Sequence, residues 1–149
     1  MKVIVDANII FSGILNTQGK IGDLLLNSQG ILEFIAADYM FSEVKSYYTK
    51  IQRITGNDLN NIERIHIHLI KNMDTFYIDQ IPKHIWIDSY KVMKNIDPKD
   101  TPYFALSSHL NLKIWSGDKQ LKKGLSDKKL DHVITTDKLY ELRKKLKNK

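Results

Sequence analysis

With 149 residues, 42% of them hydrophobic and 27% charged, the chain has the makeup of about one globular domain, which excludes disordered and fibrous architectures. It contains no cysteine. Thiol nucleophiles, thiolate zinc sites and disulfide frameworks are therefore excluded, and a chain this long folds without them by burying about two-thirds of its unfolded surface. The net charge is +6, yet residues from Lys119 onward hold 11 basic and 4 acidic groups while residues 1–118 hold 12 and 13. Basicity is thus a C-terminal feature, suited to contact with a polyanion such as nucleic acid or, equally, to a solvated terminal helix.

Lys2-Val-Ile-Val5 reads as a buried strand that ends at Asp6, and the near-helical spacing from Asn8 to Leu15 makes a helix of the next segment. Leu24 to Leu26 lie in a short helix bounded by Gly22 and by the turn at Ser28-Gln-Gly30, and Ile31 to Ala36 form a second strand. One helix is expected over Tyr39 to Ile54, ended by Gly56-Asn57-Asp58, and a longer one from Leu59 to about Met73. Thr75 to Ile78 is a third strand. A helix then runs from Pro82 to about Asn95. Thr101 is expected as an N-cap ahead of Pro102 and a helix to about Leu110. Leu112 to Trp115 is a strand, a short helix follows Asp118, His132 to Thr135 is the last strand, and Lys138 to Lys147 form the basic terminal helix.

Strands alternating with helices predict a three-layer α/β/α, Rossmann-like domain with a mostly parallel central sheet of four or five strands, occupying residues 1–149 as one unit. No apolar run reaches the roughly 18 residues of a membrane span, and the N-terminus opens as a strand, not as a signal peptide. A soluble cytoplasmic protein without a membrane partner is the expectation.

In open α/β sheets the functional crevice lies beyond the carboxyl ends of the strands. Asp6 follows the first strand directly, Asp118 follows Trp115 by a Ser-Gly turn, Asp97 and Asp100 flank the entry to the Pro102 helix, and Glu43 lies early in the helix after the second strand. Singly, an Asp at a helix N-terminus is accounted for by capping, whereas Asp6 closes a buried strand with no cap to make before Asn8. As a set, three or four carboxylates at one sheet end raise one another's pKa values or recruit a cation. All-oxygen donors favour Mg²⁺ or Mn²⁺ over zinc.

These residues resemble a known family. The strand running into Asp6-Ala-Asn8, then Ser42-Glu43-Val44, then Asp97-Pro-Lys-Asp100-Thr-Pro-Tyr-Phe-Ala105-Leu, then Trp115-Ser-Gly-Asp118-Lys-Gln-Leu121 are, in order and spacing, similar to PIN-domain ribonucleases over nearly the whole chain. The resemblance implies a Mg²⁺- or Mn²⁺-dependent endoribonuclease whose four family acids fall on Asp6, Glu43, Asp100 and Asp118, with Asp97 matching an acid found in part of the family. It implies that one or two ions held by these acids activate a water against an RNA phosphodiester, leaving 5′-phosphate and 3′-hydroxyl ends. Asn8 and Ser116 match polar positions that bond around the first carboxylate, Ser116 standing where Thr is more usual. The resemblance also raises a VapC-like toxin with a protein antitoxin encoded nearby, and a homodimer.

Lys119, Lys122 and Lys123, next to Asp118, are candidates for RNA binding. His66 and His68 lie two apart on a helix and cannot share a metal as residues four apart can, so all five histidines read as structural or solvated. There is no Gly-x-Gly-x-x-Gly, no Walker loop and no nucleophile elbow. Two other functions stay open: an RNA-processing nuclease of the same family without antitoxin, and a non-catalytic RNA- or protein-binding module that uses the basic C-terminus.

Overall fold

A computed structural model describes all residues, 1–149. Five strands, β1 (Lys2–Val5), β2 (Glu33–Ala37), β3 (Met73–Phe76), β4 (Ile114–Trp115) and β5 (Val133–Ile134), form one all-parallel sheet in the order β3-β2-β1-β4-β5. The chain builds outward from β1 to β3, then returns to the other side of β1 with β4. The strand order therefore reverses between β1 and β4, and it is at such a point that a crevice opens in α/β sheets.

Side chains along β1 alternate between two layers of helices. Val3 and Val5 face a core of 20 buried residues under α1 (Ala7–Leu15), α2 (Lys20–Leu26), α3 (Met40–Lys45), α4 (Tyr48–Thr55), α5 (Leu59–Leu69) and α9 (Thr136–Lys147). Ile4 faces the opposite layer, α6 (Lys83–Met93), α7 (Thr101–Leu110) and α8 (Lys119–Asp127). Both faces being covered explains why β1, β4 and β5 read as apolar runs without alternation, whereas the edge strand β3 carries the exposed Asp74 and Thr75. Each fully buried Val or Ile in them, such as Val3, Ile4, Val5 and Ile114, contributes roughly 1.5–3 kcal/mol. No helix is long and apolar enough to cross a membrane.

The structure corrects several local expectations. The helix expected over Tyr39 to Ile54 is two helices, α3 and α4. The hydroxyl of Ser46 donates to the Glu43 carbonyl at 2.5 Å, and the Tyr47 amide goes instead to the Val44 carbonyl at 2.9 Å. That side-chain bond competes with the helical ladder and breaks it. The apolar period runs on unbroken through Val44, Tyr48 and Ile51, all buried, so the pattern conceals the break.

The third strand is Met73–Phe76, earlier than expected, because Met73 pairs with Phe34 and the Asp38 carboxylate accepts the Ile78 amide at 3.1 Å. Gly22 lies inside α2 and does not bound it: a Cβ there would come within 2.2 Å of the Thr17 carbonyl oxygen, so only glycine allows this approach. Thr101 is no N-cap, since its hydroxyl donates to the Pro98 carbonyl at 2.7 Å. α1 begins at Ala7, which makes Asp6 itself the N-cap.

His66, on α5, is fully buried, stacked on Phe41 at 4.3 Å and bonded through Nδ1 to the Tyr48 hydroxyl at 2.6 Å. Burial holds its pKa down to about 4. It is a structural histidine that seats α3 and α4 against α5, whereas His68 is exposed.

Candidate active site

Asp6 and Ser116 meet because of strand register. Val5 pairs with Trp115, so the residues that follow them lie side by side, and the Asp6 amide donates to the Trp115 carbonyl at 3.1 Å. Ser116 donates from its hydroxyl to Asp6 Oδ2 at 2.7 Å, and Ser116 Oγ accepts from the Asp118 amide at 3.1 Å and from Asn8 Nδ2 at 3.4 Å. The Asn8 amide donates to Asp6 Oδ1 at 3.3 Å. Asp6 is only 6% exposed, and burial pushes its carboxyl above the usual range, against the pull of these two bonds. The hydroxyl of Ser116 is the group in use; the methyl of a Thr would add only stiffness.

Glu43 reaches the site from α3. Tyr103, on α7 and 1% exposed, donates its hydroxyl to Glu43 Oε1 at 3.0 Å and accepts the Ala7 amide at 3.2 Å. One phenol thus ties α7, α3 and the start of α1 together at the carboxyl end of the sheet. Burial raises the Glu43 pKa, and the Tyr103 bond works against that rise. Tyr103 carries no acid and so drew no notice in the sequence. Its signal was position: three residues beyond Asp100 in the motif.

The tightest group of acids is Asp97, Asp100 and Asp118, each offering an oxygen within 4.8 Å of the others. Asp97 accepts the Lys99 amide at 3.1 Å and Asp118 accepts the Leu121 amide at 3.1 Å, so each caps a turn or helix with one oxygen. Asp100 makes no capping bond, although it directly precedes α7. Its pKa is pushed up to about 7, first by burial and then by the charges of Asp6, Asp97, Asp118 and Glu43. Two carboxylates about 4 Å apart repel by around 4 kcal/mol at the effective dielectric of a protein surface. Three hard oxygen donors under such crowding fit a small divalent cation, which would relieve it.

Packing brings the Asp97 turn to α8. Gly124 sits under Ile96, where a Cβ would approach Ile96 Cγ2 to 2.6 Å, and Gln120 Nε2 donates to the Ile96 carbonyl at 3.0 Å.

All five acids line one cleft of about 320 Å³, together with Ala7, Asn8, Phe11, Tyr47, Lys50 and Lys99. Lys119, Lys122 and Lys123 are exposed and outside that lining, and Lys122 borders a separate hollow with Lys129 and Asp131. No histidine lines the cleft. The aromatic-rich stretch Tyr39 to Tyr48 is turned largely inward: Tyr48 and Met40 are buried, Phe41 lies on His66, and Tyr47 is 41% exposed. Phe11 and Lys50 drew no notice in the sequence, though Phe11 is three residues beyond Asn8, the spacing that puts two side chains on one helical face; Tyr47 stood out only as one of seven tyrosines able to stack bases or pack inward.

Residues 4–138 match the family model described as PIN domain. None of the curated proteins compared with the chain matches it. Among solved structures, that of PAE2754 from Pyrobaculum aerophilum is similar, with 14% identity, full coverage of both chains and a TM-score of 0.67. At that identity the likeness is one of fold.

Proposed function

The chain belongs to the PIN-domain family, and we propose that it is an endoribonuclease that hydrolyses RNA phosphodiesters with Mg²⁺ or Mn²⁺. PIN domains are generally nucleases and typically use divalent metals. The observation that carries the reading is the convergence of Asp97, Asp100 and Asp118 at the point of strand-order reversal, with Asp6 and Glu43 around the same cleft.

Asp97, Asp100 and Asp118 would hold the cation, and Asp6 and Glu43 would complete the ring. Bound there, a divalent ion supplies Lewis acidity that makes water nucleophilic near neutral pH and offsets charge on the phosphodiester. Ser116 and Asn8 fix the orientation of Asp6, and Tyr103 fixes Glu43. Groups held this way lose little orientational freedom when substrate arrives. The cleft has no histidine, and with a metal in place the chemistry asks for none.

Purified protein should cleave RNA in Mn²⁺ and not in EDTA. Asp97→Asn, Asp100→Asn and Asp118→Asn should each lower kcat by about 100-fold or more, the scale of losses at metal sites. Equal cleavage in EDTA and Mn²⁺, or full activity in an Asp6→Asn, Asp118→Asn double variant, overturns the assignment.

Within this reading we take the 149 residues as one nuclease domain acting in the cytoplasm, as the toxin of a toxin–antitoxin pair of the VapC-like kind. Growth arrest on expression, relieved by co-expression of the neighbouring open reading frame, is the result expected. Arrest that the neighbour does not relieve, or no arrest at all, points to RNA processing.

A further inference from the structure

We propose that the outer edge of β3 is a docking site for an extended, basic segment of another protein, which adds to the sheet as a further strand. The proposal stands apart from the nuclease reading, because β3 is an edge of the sheet and none of its residues lines the acidic cleft.

The backbone of β3 is bonded on one side only. Successive residues of a strand in a parallel ladder turn their N–H and C=O groups to opposite sides. The Phe76 carbonyl accepts the Asp38 amide at 2.9 Å, so Phe76 and Asp74 face β2. Met73 and Thr75 therefore face outward. The Met73 amide donates to the Ile70 carbonyl at 3.0 Å, and the Tyr77 carbonyl, still in extended backbone, accepts the Gln80 amide at 3.0 Å. What remains on the outer side is the Met73 carbonyl, both groups of Thr75 and the Tyr77 amide. That row alternates acceptor and donor, which is what an added strand pairs with. Asp74 and Thr75 point to opposite faces and both are exposed, so neither face of the strand is roofed there.

The two faces of this edge differ, and the difference selects the partner. On the α5 side lies a hollow of about 80 Å³, lined by Met40, Phe41, Ile70 and Met73 and reaching the surface at Thr75 and Asp38. It offers room for one apolar side chain. On the other side stands Asp74. None of the ion pairs of the protein uses Asp38, Asp74 or Asp79, and in a chain of net charge +6 residues 72–82 hold two acids and no base. Side chains of a strand alternate, so a segment laid on this edge turns every second residue toward the hollow and those between toward Asp74. The complementary segment alternates apolar and basic residues.

Edge strands are commonly protected by lysine, proline or a bulge. β3 has none of these, and its register with β2 is continuous. Its one charge repels acidic strands and draws basic ones. A second copy of the chain would bring its own Asp74 and Asp79 to the same seam, like charge against like, which favours a basic partner over an edge-to-edge dimer.

The test uses the full-length protein and a fluorescein-labelled peptide, Lys-Val-Lys-Val-Lys-Val-Lys, with binding read by anisotropy and located by amide hydrogen exchange. The comparison peptides are the same alternation with Glu for Lys, and the same Lys and Val residues in two blocks. The alternating basic peptide should bind at least about tenfold more tightly than either, and should protect the Thr75 and Tyr77 amides. Thr75→Pro removes an outward N–H that the sheet does not use, so the fold is kept, and binding should weaken about fivefold or more. Asp74→Lys should weaken the basic peptide about fivefold or more and strengthen the acidic one, with RNA cleavage as in the wild type. An Asp97→Asn, Asp100→Asn, Asp118→Asn triple variant should bind the basic peptide as the wild type does.

Equal binding of the alternating and block peptides, protection that leaves out Thr75 and Tyr77, or loss of binding in the triple variant overturns the docking site. So does protection of Thr75 and Tyr77 by self-association of the free protein, which would assign the edge to a second copy. Docking at Thr75 and Tyr77 in a protein that cleaves no RNA supports the site and removes the nuclease reading.

Discussion

The acidic cleft gathers five carboxylates and two lysines, the C-terminal segment from Lys119 spreads 11 basic and 4 acidic residues, and the smaller set has the larger consequence. In the cleft, five carboxylates are brought together out of bulk water, and burial with mutual repulsion pushes Asp100 up to about 7. From Lys119 onward the lysines are exposed. Where charge in that segment is engaged, it is structural: Arg143 Nη2 bonds Asp23 Oδ2 at 2.6 Å and stacks on Tyr140, and Lys20 reaches Asp137 at 2.9 Å, which together dock α9 on α2. Charge in water is weakly coupled to its surroundings, and charge in a half-buried cleft is not. Net charge therefore located neither the site nor its chemistry.

The contrast can be broken most forcefully at Asp100. Its pKa is raised from an unfolded value near 3.8 to about 7, so the folded state holds the proton more tightly and loses stability as pH rises through that interval. In EDTA at pH 8, Asp100→Asn should be more stable than the wild type by about 2–4 kcal/mol, and the gap should close toward pH 4 in thermal unfolding. A flat difference across that range would mean that the cleft is as well solvated as the C-terminus.

His66 extends the same rule to the seam where α3 and α4 pack on α5. Its pKa is lowered from 6.5 to about 4 by burial, so its contribution is complete above 6.5 and is lost as pH falls toward 4, by roughly 2–3 kcal/mol. The titratable groups next to it are Tyr48, whose own pKa burial raises to about 12, and Glu63 beside Tyr48. His66→Gln should flatten the fall in melting temperature between pH 7 and pH 5.

A smaller effect is expected at Tyr103. Tyr103→Phe removes one bond to Glu43 and leaves the Ala7 amide without its partner, which should lower stability by about 1–2 kcal/mol. Cleavage should fall further than that loss of folded protein explains, and Mn²⁺ should be bound more weakly. On the basic side, Lys144→Gln, Lys145→Gln and Lys147→Gln should each change stability by less than about 0.5 kcal/mol, because these groups are exposed. Truncation after Tyr140 is a poor probe of that basicity, since it would remove Arg143 and with it the docking of α9.

Much of the fold was legible because its signals are local. Apolar runs bounded by turn residues marked the strands within a few positions, and Asp6, Glu43, Asp97, Asp100 and Asp118 could each be placed at a strand end or helix start. What misled was also local in cause: a Ser46 hydroxyl that breaks a helix whose apolar period does not change, and the Asp38 carboxylate that ends β3 early. Side-chain bonds to the backbone leave no trace in periodicity.

The sequence by itself determined an alternating α/β chain with acids at the carboxyl ends of its strands, since both follow from neighbours along the chain. Only the tertiary structure decided that Asp97 joins Asp100 and Asp118 in the closest group, that Tyr103 holds Glu43 across 60 residues, and that Lys50 and Lys99 rim the cleft instead of Lys119, Lys122 and Lys123. These separations are set by strand register and by how α1, α3, α7 and α8 pack around the point where the strand order reverses.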